Sequence, residues 1–406
     1  MVLVANIALT VIITETKTII FDPMLFENVI GQEFIKTHLT ASVDAGRIAH
    51  AQLFVGTSGS GTLPMAIAYA QYILCGNSTG ENYGGNSSCN LKFEQLGHPD
   101  LHFVYPVATT PSIKSHPVSS HFAMEWRSFV KENPYADLFE WHKHIGIEKK
   151  QGQIGVDEAM DINRALALKA YEGGYKVMVI WMADKMNTAA SNKLLKLIEE
   201  PPNKTLFLLI AENEDHIIDT IKSRCQVLQF PGLSEATIAE ALVQRQQSDI
   251  ALAHKIAHQA QGDYNKALHL LHHDGDDIQF EEWFVTWVRA AFRAKGRKES
   301  ILDLMTWGET IAKTGRETQK NFLQYCMQFF RQALLLNYQV DALVFLEPKT
   351  KFELAKFAPF VHDNNILEIV SELQDASYHI ERNGNARIIF TDLSIKLTRL
   401  LHRKTT

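Results

Sequence analysis

Cysteine is scarce in this chain, four residues in 406. That excludes a scaffold built on disulfides and makes a reducing cytoplasm the expected compartment. An excess of positive charge is also missing. Forty Lys and Arg stand against 46 Asp and Glu, a formal charge of −6. This excludes a generic basic nucleic-acid coat, although a local basic groove is compatible with that total. Gly and Pro, at 22 and 12, are too few for a collagen-like or low-complexity chain. No apolar run reaches the ~20 residues of a membrane span. The run at the N-terminus, Val2 to Ile13 (VLVANIALTVII), lacks the basic flank and small-residue cleavage site of a secretory signal. Residues 1–23 therefore read as an extra strand or an extension without order, with Met24 the expected natural start. What is present is ordinary: 46% hydrophobic and 21% charged residues, a globular composition with core enough for two or three domains.

Five nearly continuous apolar runs recur at wide intervals: Gln52–Val55, Leu101–Tyr105, Lys176–Trp181, Thr205–Ile210 and Val227–Phe230. Runs of this kind, without alternation, predict strands buried on both faces. Helical patterns lie between them. Asn187–Glu200 (NTAASNKLLKLIEE) is one, and Pro201–Pro202 stops it. Strands alternating with helices predict a parallel α/β sheet. From Leu233 onward the pattern is helical throughout, with aromatic-rich amphipathic segments such as Asn321–Asn337. The expected plan is an α/β domain over 24–231, a small helical domain over 232–280 and an all-helical domain over 281–406. Residues 107–151 fit neither pattern and read as a partly helical surface insertion, rich in aromatics. Its His142-x-His144 pair has no neighbouring Cys and reads as a solvated helix face rather than a metal site.

The sharpest motif follows the first strand: Gly56-Thr57-Ser58-Gly59-Ser60-Gly61-Thr62-Leu63. Gly56, Gly59 and Gly61 suit a phosphate-binding loop, whose backbone N–H groups cradle phosphates at a helix start. Thr62, however, stands where a lysine must neutralise phosphate charge. Leu63 stands where a hydroxyl must hold Mg²⁺. Such sites also need acidic residues at the end of a later buried strand. Here that strand runs into Trp181 and Met182, with Asp184 two positions too late. Both halves of the metal site are gone.

Lys176–Pro202 (KVMVIWMADKMNTAASNKLLKLIEEPP) and Thr205–Cys225, ending in Ser223-Arg224-Cys225, resemble the AAA+ subunits of bacterial DNA polymerase III clamp loaders. Phe26–Gln32, Arg47–Ala51 and Gly97–Leu101 are similar to that family's other segments, so the likeness runs from about Met24 to Leu271 without the insertion. The resemblance implies a P-loop (AAA+) α/β domain with a five-stranded parallel sheet, a helical lid and an all-helical oligomerisation collar. It implies δ and γ/τ subunits as partners, and the β sliding clamp and primed DNA through the complex. Within the family, the lost residues at 62, 63, 181 and 182 resemble the type that does not hydrolyse ATP. That type supplies Arg224, with Ser223 and Cys225 around it, as an arginine finger to the ATP of a neighbouring subunit. Asn265 falls where the family's lid carries an arginine. Cys75 and Cys89 match the outer positions of a family zinc module whose middle two positions hold Tyr83 and Asn86. The expectation is that zinc is lost, with no cofactor of the chain's own. Two other readings remain: an ATP-hydrolysing γ/τ-type subunit with an unusual site, and a single-strand nucleic-acid binder stacking bases on the insertion's aromatics.

Overall fold

The structure, a computed structural model, describes residues 24–403 except 77–86, 149, 172–173, 273–274, 298, 341–342, 345 and 347. The expectations placed on residues 1–23, Tyr83 and Asn86 lie outside the described residues. Five strands form one sheet: β1 (Ala51–Gly56), β2 (Leu101–Val104), β3 (Lys176–Ile180), β4 (Thr205–Ala211) and β5 (Gln226–Phe230). All pairings are parallel, in the order β2-β3-β4-β1-β5. Every residue of β1, β3 and β4 is buried, which is why their sequences are apolar without alternation. The side chains still alternate between two cores, as strand geometry requires. Val177, Val179, Leu206 and Leu208 point into one; Met178, Ile180, Phe207 and Leu209 point into the other.

The first core is closed by α1 (Glu33–Asp44), α2 (Thr62–Leu74), α3 (Ser87–Glu94), α4 (Ala123–Glu132) and α5 (Leu138–His144). On the opposite face lie α6 (Val156–Ala167), α7 (Thr188–Glu199) and α8 (Asp219–Lys222). The start of α7 is set by Asn187, whose side chain accepts the Ala190 N–H. After the sheet come α9 (Glu235–Gln246), α10 (Ile250–Ala260) and α11 (Tyr264–His272), which share a small core with Ile30 and Tyr135. The rest is helical: α12 (Gly275–Ala294), α13 (Glu299–Ala312), α14 (Arg316–Asn337), α15 (Leu354–Phe357), α16 (Asp363–Glu381) and α17 (Ala386–Leu400). Their aromatic stripes, Trp287, Phe322, Phe329 and Phe330 among them, form a separate core.

Three expectations need correction. The 107–151 segment is no surface appendage, because α4 and α5 are part of the main core. Trp126 is 1% exposed and Trp141 is 0%. Their ring area is better used against the sheet than in a small core of the segment's own. His142 does not sit on a solvated face either. It is buried with no hydrogen-bond partner on either ring nitrogen, and burial pushes its pKa down to about 4, so it is a neutral ring. Finally, Cys75 and Cys89 are not two stranded remnants: they are bonded to each other, tying α3 to the end of α2.

Candidate functional site

The glycine-rich loop connects β1 to α2 at the carboxyl end of the sheet, beside the point where the strand order turns back. Ligands of open α/β sheets bind in that position. Gly59 and Gly61 have φ of +69° and +93°, which side chains rarely adopt. At Gly59 space forbids a side chain as well, since a Cβ there would lie 1.9 Å from Asp263 Oδ1. The start of α11 rests on this glycine, with the Tyr264 N–H donating to the Gly59 carbonyl at 3.3 Å. The loop therefore has a phosphate loop's shape, with protein already packed on it.

Only about 20 Å³ of cavity is left between the loop, Trp181 and Met182. That is room for a single water. The space is taken by Pro134, Tyr135 and Ala136, which link α4 to α5 and line the same cavity. The Tyr135 hydroxyl accepts the Ile30 N–H at 2.8 Å, and its ring meets Tyr264 edge-on at 5.0 Å. Burial pushes the Tyr135 pKa up to about 12, so it stays a neutral phenol. Among the described residues no Lys or Arg lines this cavity, and Glu212 is the one acidic residue lining it. Leu63, 3% exposed, is core. A nucleotide triphosphate with Mg²⁺ does not fit these residues in volume or in charge.

The end of β3 packs into an aromatic cluster. Trp181 packs 5.2 Å from Trp126, which stacks on Tyr105 at 4.1 Å. Met182 follows in a left-handed conformation, φ +55°, and is buried. Asp184 is buried and faces Lys185 at 2.8 Å. Asn265 joins the plug to α11: its amide donates to Glu140 Oε2 at 2.6 Å, and its carbonyl accepts from Asn133 at 2.6 Å. Next to it, burial and the Glu140 carboxylate push the Asp137 pKa up. Burial lifts Asp263 to about 6.

Arg224 lies elsewhere. It follows α8 and precedes β5, whose first residue Gln226 pairs with Gln52 and whose last, Phe230, pairs with Gly56. Arg224 is thus at the amino end of the sheet and the loop at the carboxyl end, ~13 Å of strand apart. It cannot serve its own loop. Its side chain is 40% exposed, with Nη2 2.7 Å from Glu199 Oε1. Nη1 donates to the Thr220 carbonyl at 2.9 Å and to Ser223 Oγ at 3.3 Å. Ser223 Oγ donates in turn to Thr220 O at 3.1 Å. Cys225 is half-buried, and burial raises its thiol pKa to about 11, so it is a packing group and not a nucleophile.

The structure brings Gly56, Gly59, Gly61, Thr62, Leu63, Trp181 and Met182 around one cavity and sets Ser223, Arg224 and Cys225 apart from it. Tyr135 and Glu199 escape the sequence reading. Glu199 lies in the Lys176–Pro202 stretch that carries the resemblance; Tyr135 has no signal beyond an irregular aromatic stretch. Trp126, Phe129 and Trp141 are buried and offer no platform for stacking bases. Among the described residues no group of three or more His, Cys, Asp or Glu is arranged to hold a metal ion. No helix among them is long and apolar enough to cross a membrane.

A family model described as "DNA polymerase III, delta subunit" matches residues 31–234. The delta' subunit of DNA polymerase III from Bacillus subtilis is 28% identical over 204 residues, half of this chain and 49% of that protein. The delta' subunit from Haemophilus influenzae is 30% identical over 189 residues, covering 47% and 45%. The tau subunit from Bacillus subtilis is 22% identical over 401 residues, 95% of this chain and 63% of its own length. The chain spans about half the length of the delta' relatives it matches. A solved structure of a gamma subunit-related protein from Thermotoga maritima aligns with 89% of this chain and 99% of its own, at 12% identity and a TM-score of 0.36.

Proposed function

The chain belongs to the DNA polymerase III delta-subunit family, and from that membership we propose that it is a delta-prime-type clamp-loader subunit that does not hydrolyse ATP. In this reading it assembles with δ and γ/τ subunits in the cytoplasm, through helices α12–α17 as a collar. The complex then places the β sliding clamp on primed DNA. The domain plan is α/β over 24–231, lid over 232–280 and collar over 281–406, with neither nucleotide nor zinc bound by this chain. One observation carries the proposal: the chain plugs its own phosphate loop with Tyr135, while Arg224 stands exposed at the other end of the sheet.

The plug and the missing charges support the absence of turnover. Phosphoryl transfer needs fixed positive charge and a metal on the phosphates, and this cavity supplies neither. Arg224 supports the trans role. A guanidinium is planar, always charged and donates bidentately to phosphate oxygens. At the sheet's amino end it can reach only a phosphate held by another molecule.

Two linked measurements test the proposal. The isolated chain, titrated with a fluorescent Mg·ATP analogue, is expected to show no saturable binding and no hydrolysis. Mixed with its cognate δ and γ/τ subunits, it is expected to elute as a stoichiometric complex. Steady ATP turnover by the pure chain, unchanged by Thr62→Ala, would overturn the non-hydrolysing role. Failure to enter the complex would overturn the clamp-loader role.

A further inference from the structure

Arg224 is held from two separate elements. Glu199, the last residue of α7, takes Nη2 at 2.7 Å. Thr220 of α8 and Ser223 take Nη1. Both elements are pinned from below, α7 by Leu194 and Ile198 and α8 by Ile221, each 1% exposed or less. A guanidinium has five N–H donors in a rigid fork. These contacts are an ion pair at Nη2 and two hydrogen bonds from Nη1. Among the described residues none of these contacts falls on the Nε–H, and a guanidinium meets phosphate oxygens through such N–H groups.

We infer that Glu199 is a positioning residue for Arg224, fixing the plane in which the guanidinium meets a phosphate on a neighbouring subunit. The inference rests on the trans-acting reading above. Glu199 and Arg224 are 37% and 40% exposed, and ion pairs so open to water add little to stability. Geometry is what the pair supplies. An exposed arginine without it samples many rotamers, and a bound partner must then select one. Glu199 touches no phosphate and stands behind the finger.

The test uses the reconstituted complex with cognate δ and γ/τ subunits, clamp and primed DNA, and reads kcat and KM for ATP. Glu199→Ala is expected to lower kcat about twofold, less than Arg224→Ala does, because small misplacements of a reacting group are costly, with KM little changed. Glu199→Gln should restore most of kcat, since its amide oxygen can take the place of Oε1 beside Nη2. In an Arg224→Ala background, Glu199→Ala should cause no further loss, the signature of a residue acting through its partner. Wild-type kcat for Glu199→Ala alongside an impaired Arg224→Ala would overturn the inference. So would an additional loss from Glu199→Ala when Arg224 is already absent. If Arg224→Ala itself turns over at the unmutated rate, the trans-acting reading is what has failed, and Glu199 has no finger to position.

Discussion

Glu158 carries the clearest electrostatic cost at a single residue. It is 2% exposed and accepts the Ser119 N–H at 2.7 Å, yet burial pushes its pKa up to about 7. Its folded pKa lies above its unfolded one, so the native state holds the proton between about 4.5 and 7. Stability from this group is full below that window and is lost as pH rises through it. Well above pH 7 the cost is about 3 kcal/mol. Glu158→Gln keeps an acceptor for Ser119 and removes the charge. It is expected to gain that amount at pH 8 and nothing at pH 4 in urea unfolding; an unchanged pH slope would refute the assignment. Sequence alone could not see this, since Glu158 reads as an acidic first-turn residue of a helix. It could see Thr62, Leu63, Trp181 and Met182, because a motif fixes what each position must do. Tyr135 had no motif to be missing from.

At the scale of elements, the five strands were legible because strands buried on both faces have no other way to be written. Each observed strand starts or ends within a residue or so of its apolar run. The α4–α5 segment was not legible, because its rings are spaced for contact with Trp181 and Tyr105 and not for a regular period. The pairing of α2 and α3 through Cys75 and Cys89 is not legible for a different reason: two cysteines 14 residues apart match the outer positions of a four-ligand module as well as they match a bonded pair. A closed loop of that size stabilises by roughly 3 kcal/mol. Cys75→Ser is therefore expected to lower stability by about that much without reductant, and reduced wild-type protein should match the variant. Stability indifferent to reductant would contradict the bond, and one zinc per chain by elemental analysis would replace it with a metal site.

At the scale of the whole molecule, one fold carries two half-sites that never meet. The carboxyl end of the sheet has a phosphate loop's backbone with Tyr135 in it. The amino end has a half-exposed arginine held at Nη1 and Nη2. In the proposed function such a subunit would contribute to catalysis only across an interface, and a formal charge of −6 would leave any contact with DNA to local surfaces. Fingers supplied in trans are worth roughly 10³–10⁵ in rate at a single site. A complex whose other sites keep their own fingers shows a smaller drop. The most direct measurement is the clamp-stimulated, DNA-dependent ATP turnover of the reconstituted complex carrying Arg224→Ala in this chain. Turnover should fall severalfold with the complex still assembled, and Arg224→Lys should fail similarly, because a point charge lacks the planar fork. Turnover at the unmutated rate by a fully assembled Arg224→Ala complex would contradict the trans-acting role.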